Sequence, residues 1–334
     1  MTVAWTLDKR DIRAFAILGI FFSLLVAIAA LFIANRTAKA ERIDRLLTTQ
    51  VCPRCELDRV GLEAADLANA NLEQASLRNV NFINADLSGT TLTRAVLSGT
   101  NLTDANLHRA DLGDAVLSGA TLTSAILIEA SLRGAYLGDA VLENAVLDSA
   151  TLGDAILIRT DFSDAYLLNT DLRRADLANA DLSRAHLGSS NLVRANLAEA
   201  DLGSADLAQA DLRRADLRRA DLNNATLRAA NLIDANLSDT NLSQADLANA
   251  NLVRAFLRDA NLTGASLRAT DLTNATLTKA NLERADLRGA NLANANLRKA
   301  DLTGADLTDV DLNQAQLCGT ILPNGTESNR DCAK

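Results

Sequence analysis

The side chains able to do chemistry in this chain are few, and they do not cluster. Two histidines, His108 and His186, stand far apart in the sequence. Four cysteines form two close pairs, Cys52 with Cys55 and Cys318 with Cys332, near opposite ends of the sequence. Metal binding and proton transfer need several such groups within bonding reach of one another, and this spacing supplies none. No phosphate loop, nucleophile elbow or HExxH run occurs. The expectation is therefore no catalytic residue, no cofactor and no metal. What remains is thiol oxidation at the two cysteine pairs and recognition by the surface.

The elements that position these groups follow from one period. Leu57 is followed by Leu or Phe at every fifth position to Leu322, giving 54 unbroken pentads with Phe only at Phe82 and Phe162. Two residues before each lies a small side chain, mostly Ala, with exceptions such as Val60, Thr90, Ser190 and Val310. A straight helix scatters such leucines, because five steps of about 100° leave about 140° of net rotation. A straight strand sends alternate ones to opposite faces. The chain must instead turn within every pentad. The small residue and the Leu share an inward face, the residue between them points outward, and the last two make a corner. Composition agrees: 48% of residues are hydrophobic but only 3% aromatic, and the two prolines, Pro53 and Pro323, flank the run. That apolar content excludes disorder, and 16 glycines without a three-residue period exclude collagen.

Pentads such as Ala200-Asp201-Leu202-Gly203-Ser204 and Ala290-Asn291-Leu292-Ala293-Asn294 resemble the pentapeptide-repeat family, A-(D/N)-L-x-x. The resemblance implies an all-β solenoid, a right-handed quadrilateral β-helix with four pentads per coil. At four pentads per coil the run makes about 13 coils, a rod roughly 60 Å long at the spacing of paired strands. The two histidines then lie roughly 19 Å apart, each a surface residue.

The cysteines bracket this rod. Family members in bacterial envelopes and thylakoid lumens show a similar C-P-x-C entry and an exit like Leu317-Cys318-Gly319-Thr320. A zinc site shared by all four thiols fails on distance, and a thioredoxin-type centre lacks its βαβ context. Two readings stay open. Local disulfides Cys52–Cys55 and Cys318–Cys332 would staple the ends and suit an oxidising compartment. Alternatively all four thiols are reduced, with Cys55 filling a small inward position. The stapled ends are the expectation carried forward, and with them an amino terminus inside and a rod outside the cytoplasm.

A second element precedes the rod. Residues 14–34 contain no charge, and a helix of that length spans ~30 Å, the thickness of a bilayer core. A cleaved signal peptide competes, since Ala38-Lys39-Ala40 imitates a cleavage site, but its apolar core would be only about 7–15 residues. An uncleaved single-pass membrane anchor is the expectation. Basic residues nearly tie across the span (Lys9, Arg10 and Arg13 with the terminal amine against Arg36, Lys39, Arg42 and Arg45), so charge sets no orientation. The expected organisation is a short segment 1–13, a transmembrane helix 14–34, a linker and cap helix 35–56, the β-helix 57–322 and a tail 323–334. In the linker, Ile43, Leu46 and Leu47 fall on one helical face, either as a separate amphipathic helix or as an extension of the membrane helix.

Outward positions decide what the rod recognises. The chain carries a net charge of −9, and of the outward mid-pentad residues from 61 to 321, 18 are Asp and 14 are Asn. Some members of the resembled family mimic DNA and inhibit type II topoisomerases. Here the carboxylates are interleaved with arginines: Arg174, Arg194 and Arg214 recur once per coil, expected beside Asp171 and Asp211 as a self-neutralising surface. No nucleic acid is expected as a partner. Asn-x-Ser/Thr matches such as Asn236-Leu237-Ser238 follow from the repeat itself. From 116 to 156 Asp and Asn vanish from the mid-pentad position for nine pentads. Val96, Val116, Tyr136 and Ile156 then form one apolar column, and Ile126, Val146 and Tyr166 another on the opposite wall. These seven residues are the candidate docking surface for an unidentified protein partner. β-Propensity of exposed branched and aromatic residues accounts for the same pattern without a partner. The functional expectation is a non-enzymatic, membrane-anchored interaction or scaffolding rod outside the cytoplasm. A cytoplasm-facing tethered regulator is the alternative, and a DNA-mimicking topoisomerase inhibitor a third.

Overall fold

The computed structural model describes residues 27–30 and 34–332. Residues 27–30 and 34–49 are helical, and from residue 51 the backbone winds into a square solenoid. The winding is visible in the pairing: residue i bridges residue i+20 in parallel, from Val51–Asn71 to Asp301–Ile321. Each wall of a coil is thus one pentad, too short for a conventional strand.

The pentad Asn101–Ala105 shows why the repeat holds. Asn101 donates its N–H to Val80 in the coil before, while Leu102 and Asp104 donate to Thr121 and Thr123 in the coil after, at 2.6–3.0 Å. Ala105 donates back to Leu102 across the corner at 3.0 Å. The fifth N–H, of Thr103, is taken by the Asn101 side chain at 3.0 Å. Every backbone donor of the pentad is accounted for. The second corner residue has φ near +55° to +65° in coil after coil, as at Asp104 and Arg174, and the first does not. With the hydrogen bond from fourth residue to first, that is the type II turn.

Inside, Leu and the small residues are buried along the whole length, as are Phe82 and Phe162 at leucine positions. Buried threonines at small positions donate to a leucine carbonyl one coil back, as Thr100 to Leu77 and Thr160 to Leu137. Four converging walls leave room for Leu beside Ala and little more.

Both ends differ from the expected boundaries. The solenoid begins at Val51, one pentad before the leucine count placed it, because Cys52 takes a leucine position and Cys55 a small one, both buried. The helix of residues 34–49 closes the open first coil with Leu46, fully buried, and Ile43 packed against the core. Leu47 is 47% exposed, so the cap contact is narrower than the three-residue face expected. Arg42 and Lys39 donate to the carbonyls of Glu56 and Asp58 on the first coil edge.

At the other end, no bridge joins Asn291 to Asp311, and Leu307, Val310 and Leu312 are only half-buried. The regular ladder therefore loosens before Leu322. The tail folds back instead: β1 (Thr320–Ile321) pairs antiparallel with β2 (Glu327–Ser328). Arg330 donates to the Leu312 and Ala315 carbonyls, satisfying acceptors at the frayed edge. The cap helix and the returning tail thus lie at the two ends, where open coil edges could otherwise template another chain.

Most of the 14–34 span, and all of 1–13, lie outside the described residues. Among the described residues no helix is long and apolar enough to cross a membrane.

Candidate functional site

The four cysteines are joined in two disulfides, Cys52–Cys55 and Cys318–Cys332, with Cα separations of 5.4 and 4.7 Å. Each sits at a rod end. Arg45 of the cap helix donates to both sulfurs of the first pair. The second fixes the returning tail onto the last coil. Among the described residues no group of three or more His, Cys, Asp or Glu could hold a metal ion.

The surface columns have the register expected for them. Val96, Val116, Tyr136 and Ile156 are bridged in sequence, as are Ile126, Val146 and Tyr166, so each column is one residue per coil. Tyr136, Ile156, Ile126 and Tyr166 are each about two-fifths exposed, and Val96, Val116 and Val146 half-buried. The two columns lie on opposite walls and do not merge into one patch.

The second column extends further than its apolar residues. Tyr166 bridges His186, and their rings stack with centroids 4.7 Å apart and planes 16° from parallel. Leu168 at the adjoining corner is also exposed. The one-coil spacing between Tyr166 and His186 carried that information, but ring stacking needs the coil to be built first. The exposed ring of Phe256 lies on the same wall as the first column, five coils beyond Ile156, with Asp176, Asn196, Asp216 and Asn236 between them.

Losing Asp and Asn has a backbone consequence. Elsewhere their Oδ1 accepts the N–H two residues on, as Asp161 from Ser163 at 2.9 Å or Asn281 from Glu283 at 2.9 Å. Among the described residues, the corresponding N–H of residues 118 to 158 has no side-chain acceptor in any of the nine pentads. Each such bond is worth about 0.5–1.5 kcal/mol. The stretch gives up intrinsic turn stability where it places apolar side chains.

The charged surface is paired, but by a different rule from the one expected. Arg174 engages Asp154 one coil back with two bonds of 2.6 and 2.7 Å, rather than Asp171. Arg159 with Asp139, Arg184 with Asp164 and Arg254 with Asp234 repeat this pattern. Asp171, Asp211 and Asp216 instead hold Arg173, Arg213 and Arg218 two residues on. Hydrogen bonds from these arginines are the main cause holding the carboxyls of Asp154, Asp171 and Asp234 below their ordinary value. Most acidic groups are thus committed to turns or to guanidinium partners.

This geometry defines a class: an end-capped β-solenoid whose outward side chains repeat at coil spacing and whose polar groups mostly serve the fold. A family model described as pentapeptide repeats (8 copies) matches in overlapping segments from 55–94 to 285–322. The chain belongs to the pentapeptide-repeat family, right-handed β-helices that act as non-catalytic interaction proteins. Among solved structures it is similar to HetL, a pentapeptide repeat protein involved in heterocyst differentiation regulation in the cyanobacterium Nostoc. That match has 38% identity over 66% of this chain and 92% of that one, with a TM-score of 0.37. A pentapeptide repeat protein of the Arabidopsis thaliana thylakoid lumen is 32% identical over 27% of this chain and 66% of that one, with a TM-score of 0.18. QnrB1, a plasmid-mediated fluoroquinolone resistance protein, is 19% identical over 63% and 88%, with a TM-score of 0.27. No curated protein matches the chain.

Proposed function

We propose that this protein is a non-enzymatic interaction rod, anchored in a membrane by residues 14–34 and displayed outside the cytoplasm. On this reading the column Val96–Val116–Tyr136–Ile156, with Ile126–Val146–Tyr166 on the opposite wall, docks a partner protein. The observation that carries the docking reading is the coil-spaced run of exposed apolar residues where the fold-stabilising Asp and Asn are given up. Isolated exposed apolar groups are ordinary; continuous columns mark binding surfaces more often.

The compartment rests on a separate support, a disulfide at each end, which persists in oxidising surroundings. DNA mimicry is disfavoured because the carboxylates are occupied by turn N–H groups and by arginines, leaving no continuous acidic track. The likeness to QnrB1 is one of fold alone.

Two experiments test the two halves. A phosphatase reporter fused to the carboxyl end is expected to be active, and an inactive fusion at full expression places the rod in the cytoplasm. Replacing Val116, Tyr136 and Ile156 together with Asn is expected to keep the fold and abolish co-purification of partners from native membranes. An unchanged set of partners removes the docking reading.

A further inference from the structure

On a third side of the rod, one corner column reads Asp154, Arg174, Arg194, Arg214, Asp234 and Arg254, one residue per coil. Successive residues are ~4.8 Å apart along the axis. The other corner columns alternate Arg or Lys with neutral or acidic residues, or place at most two cations together; three arginines in succession occur here only. The flanking carboxylates do not neutralise them. Asp154 is held by Arg174 and also approached by Arg133 at 3.3 Å, while Asp234 is held by Arg254 and lies 3.8 Å from Arg214.

Arg194, in the centre, makes no ion pair among the described residues. The mid-pentad residue that gives Arg173 and Arg213 their carboxylates is Asn191 in this coil, and its Oδ1 accepts the Val193 N–H at 3.2 Å. The column borders a groove of about 770 Å³, the size of a small-molecule site. Seven arginines and three aspartates line it, with Gly153, Val193 and Ile233 as an apolar floor. A fourth carboxylate, Asp211, pairs with Arg213 beside the groove. The groove is therefore net positive on a chain of net charge −9.

We infer that this groove binds a phosphate monoester carried on an apolar body, with the phosphoryl group seated on Arg194 between Arg174 and Arg214. The chemistry favours phosphate over carboxylate. A monoester carries about −1.5 to −2 and three acceptor oxygens, enough to engage neighbouring guanidinium groups at once. Arg174 uses Nε and Nη2 on Asp154, which leaves Nη1, and among the described residues none of the five Arg194 side-chain donors has a partner. Val193 and Ile233 meet the apolar part. The inference depends on the fold and not on the docking columns or the membrane anchor.

The test titrates the full-length protein with phenyl phosphate and with benzoate. Phenyl phosphate is expected to bind saturably and at least tenfold more tightly than benzoate. Arg194→Gln is expected to weaken it at least tenfold at an unchanged thermal midpoint, and Arg194→Lys to restore part of the affinity. Arg219→Gln, which removes a guanidinium paired with Glu199 on a different corner, is expected to leave affinity within twofold. Vesicles of phosphatidic acid in phosphatidylcholine distinguish the sources. Recruitment in excess of that to phosphatidylcholine alone, abolished by Arg194→Gln, identifies a lipid headgroup, whereas soluble binding without such excess identifies a free phosphate ester. Equal affinity for benzoate and phenyl phosphate, or an Arg194→Gln protein that binds like the parent, overturns the inference.

Discussion

Ser190 offers a prediction with an unusual sign. It occupies a small inward position, is 1% exposed, and its hydroxyl has no hydrogen-bond partner among the described residues. At the equivalent positions Thr90, Thr100, Thr160, Thr170, Thr240, Thr270 and Thr320 each donate to the leucine carbonyl 23 residues earlier. The threonine γ-methyl restricts χ1 and holds that hydroxyl in place. Serine lacks it. An unsatisfied buried hydroxyl costs about 1–3 kcal/mol, and Ser190→Ala removes the oxygen without opening a sizeable cavity. The expected result is a stabilisation of about 1 kcal/mol, or about 2 °C in thermal midpoint for a domain of this size. Thr160→Ala, which deletes a made bond and a packed methyl, is expected to destabilise by about 1–2 kcal/mol. Because long repeat arrays unfold in parts, hydrogen exchange of the amides around 187–191 should be followed beside the thermal midpoint. Loss of protection in Ser190→Ala equal to that in Thr160→Ala refutes the reasoning.

Other consequences follow from the same structure. Ala205 is 1% exposed between converging walls, so Ala205→Phe is expected to cost about 3 kcal/mol or more by overpacking, and an unchanged thermal midpoint contradicts it. Cys332→Ser opens a loop of 14 residues; a loss of about 3 kcal/mol is expected, localised as faster proteolysis of the tail beyond residue 310. Asp139, Asp154, Asp164 and Asp234 have carboxyls held below the ordinary 3.8, chiefly by hydrogen bonds from arginine. A depressed folded-state value contributes stability that is present above the unfolded value and lost as pH falls through the folded one. The thermal midpoint is therefore expected to hold from pH 7 to 5 and to fall below about pH 4, and a fall confined to the neutral range argues against these pairs.

How much was legible beforehand differs by feature. The five-residue period gave the inward Leu and Ala and the two-residue corner, because these follow from excluding straight helix and strand. The coil register that aligns Val116, Tyr136 and Ile156 came instead from the family resemblance, which implies four pentads per coil. The first coil was hidden because Cys52 stands where the period expects leucine. The loosening at Asp311 left no trace, since Leu307, Leu312 and Leu317 keep the period while the edge fails to pair. Ion pairing was misjudged because a solenoid residue has neighbours one coil away as well as along its own pentad, and only built side chains show Arg174 choosing Asp154 over Asp171. Arg194 stood in plain view within a column of three arginines. Its lack of a carboxylate depends on where the surrounding aspartates turn, which no spacing rule gives.

The buried Leu–Ala core and every surface column require that residues i and i+20 be neighbours along one axis. Distances between spin labels test this directly in the full-length protein, with labels on His108→Cys paired with Arg228→Cys in one sample and with Thr308→Cys in another. The pairs span six and ten coils, so distances of about 29 and 48 Å are expected, and their difference of about 19 Å is independent of label length. Two narrow distributions with that difference are the predicted result. Similar distances for the two pairs, or a difference far from the expected one, would contradict the square coil and with it every surface column built on its register.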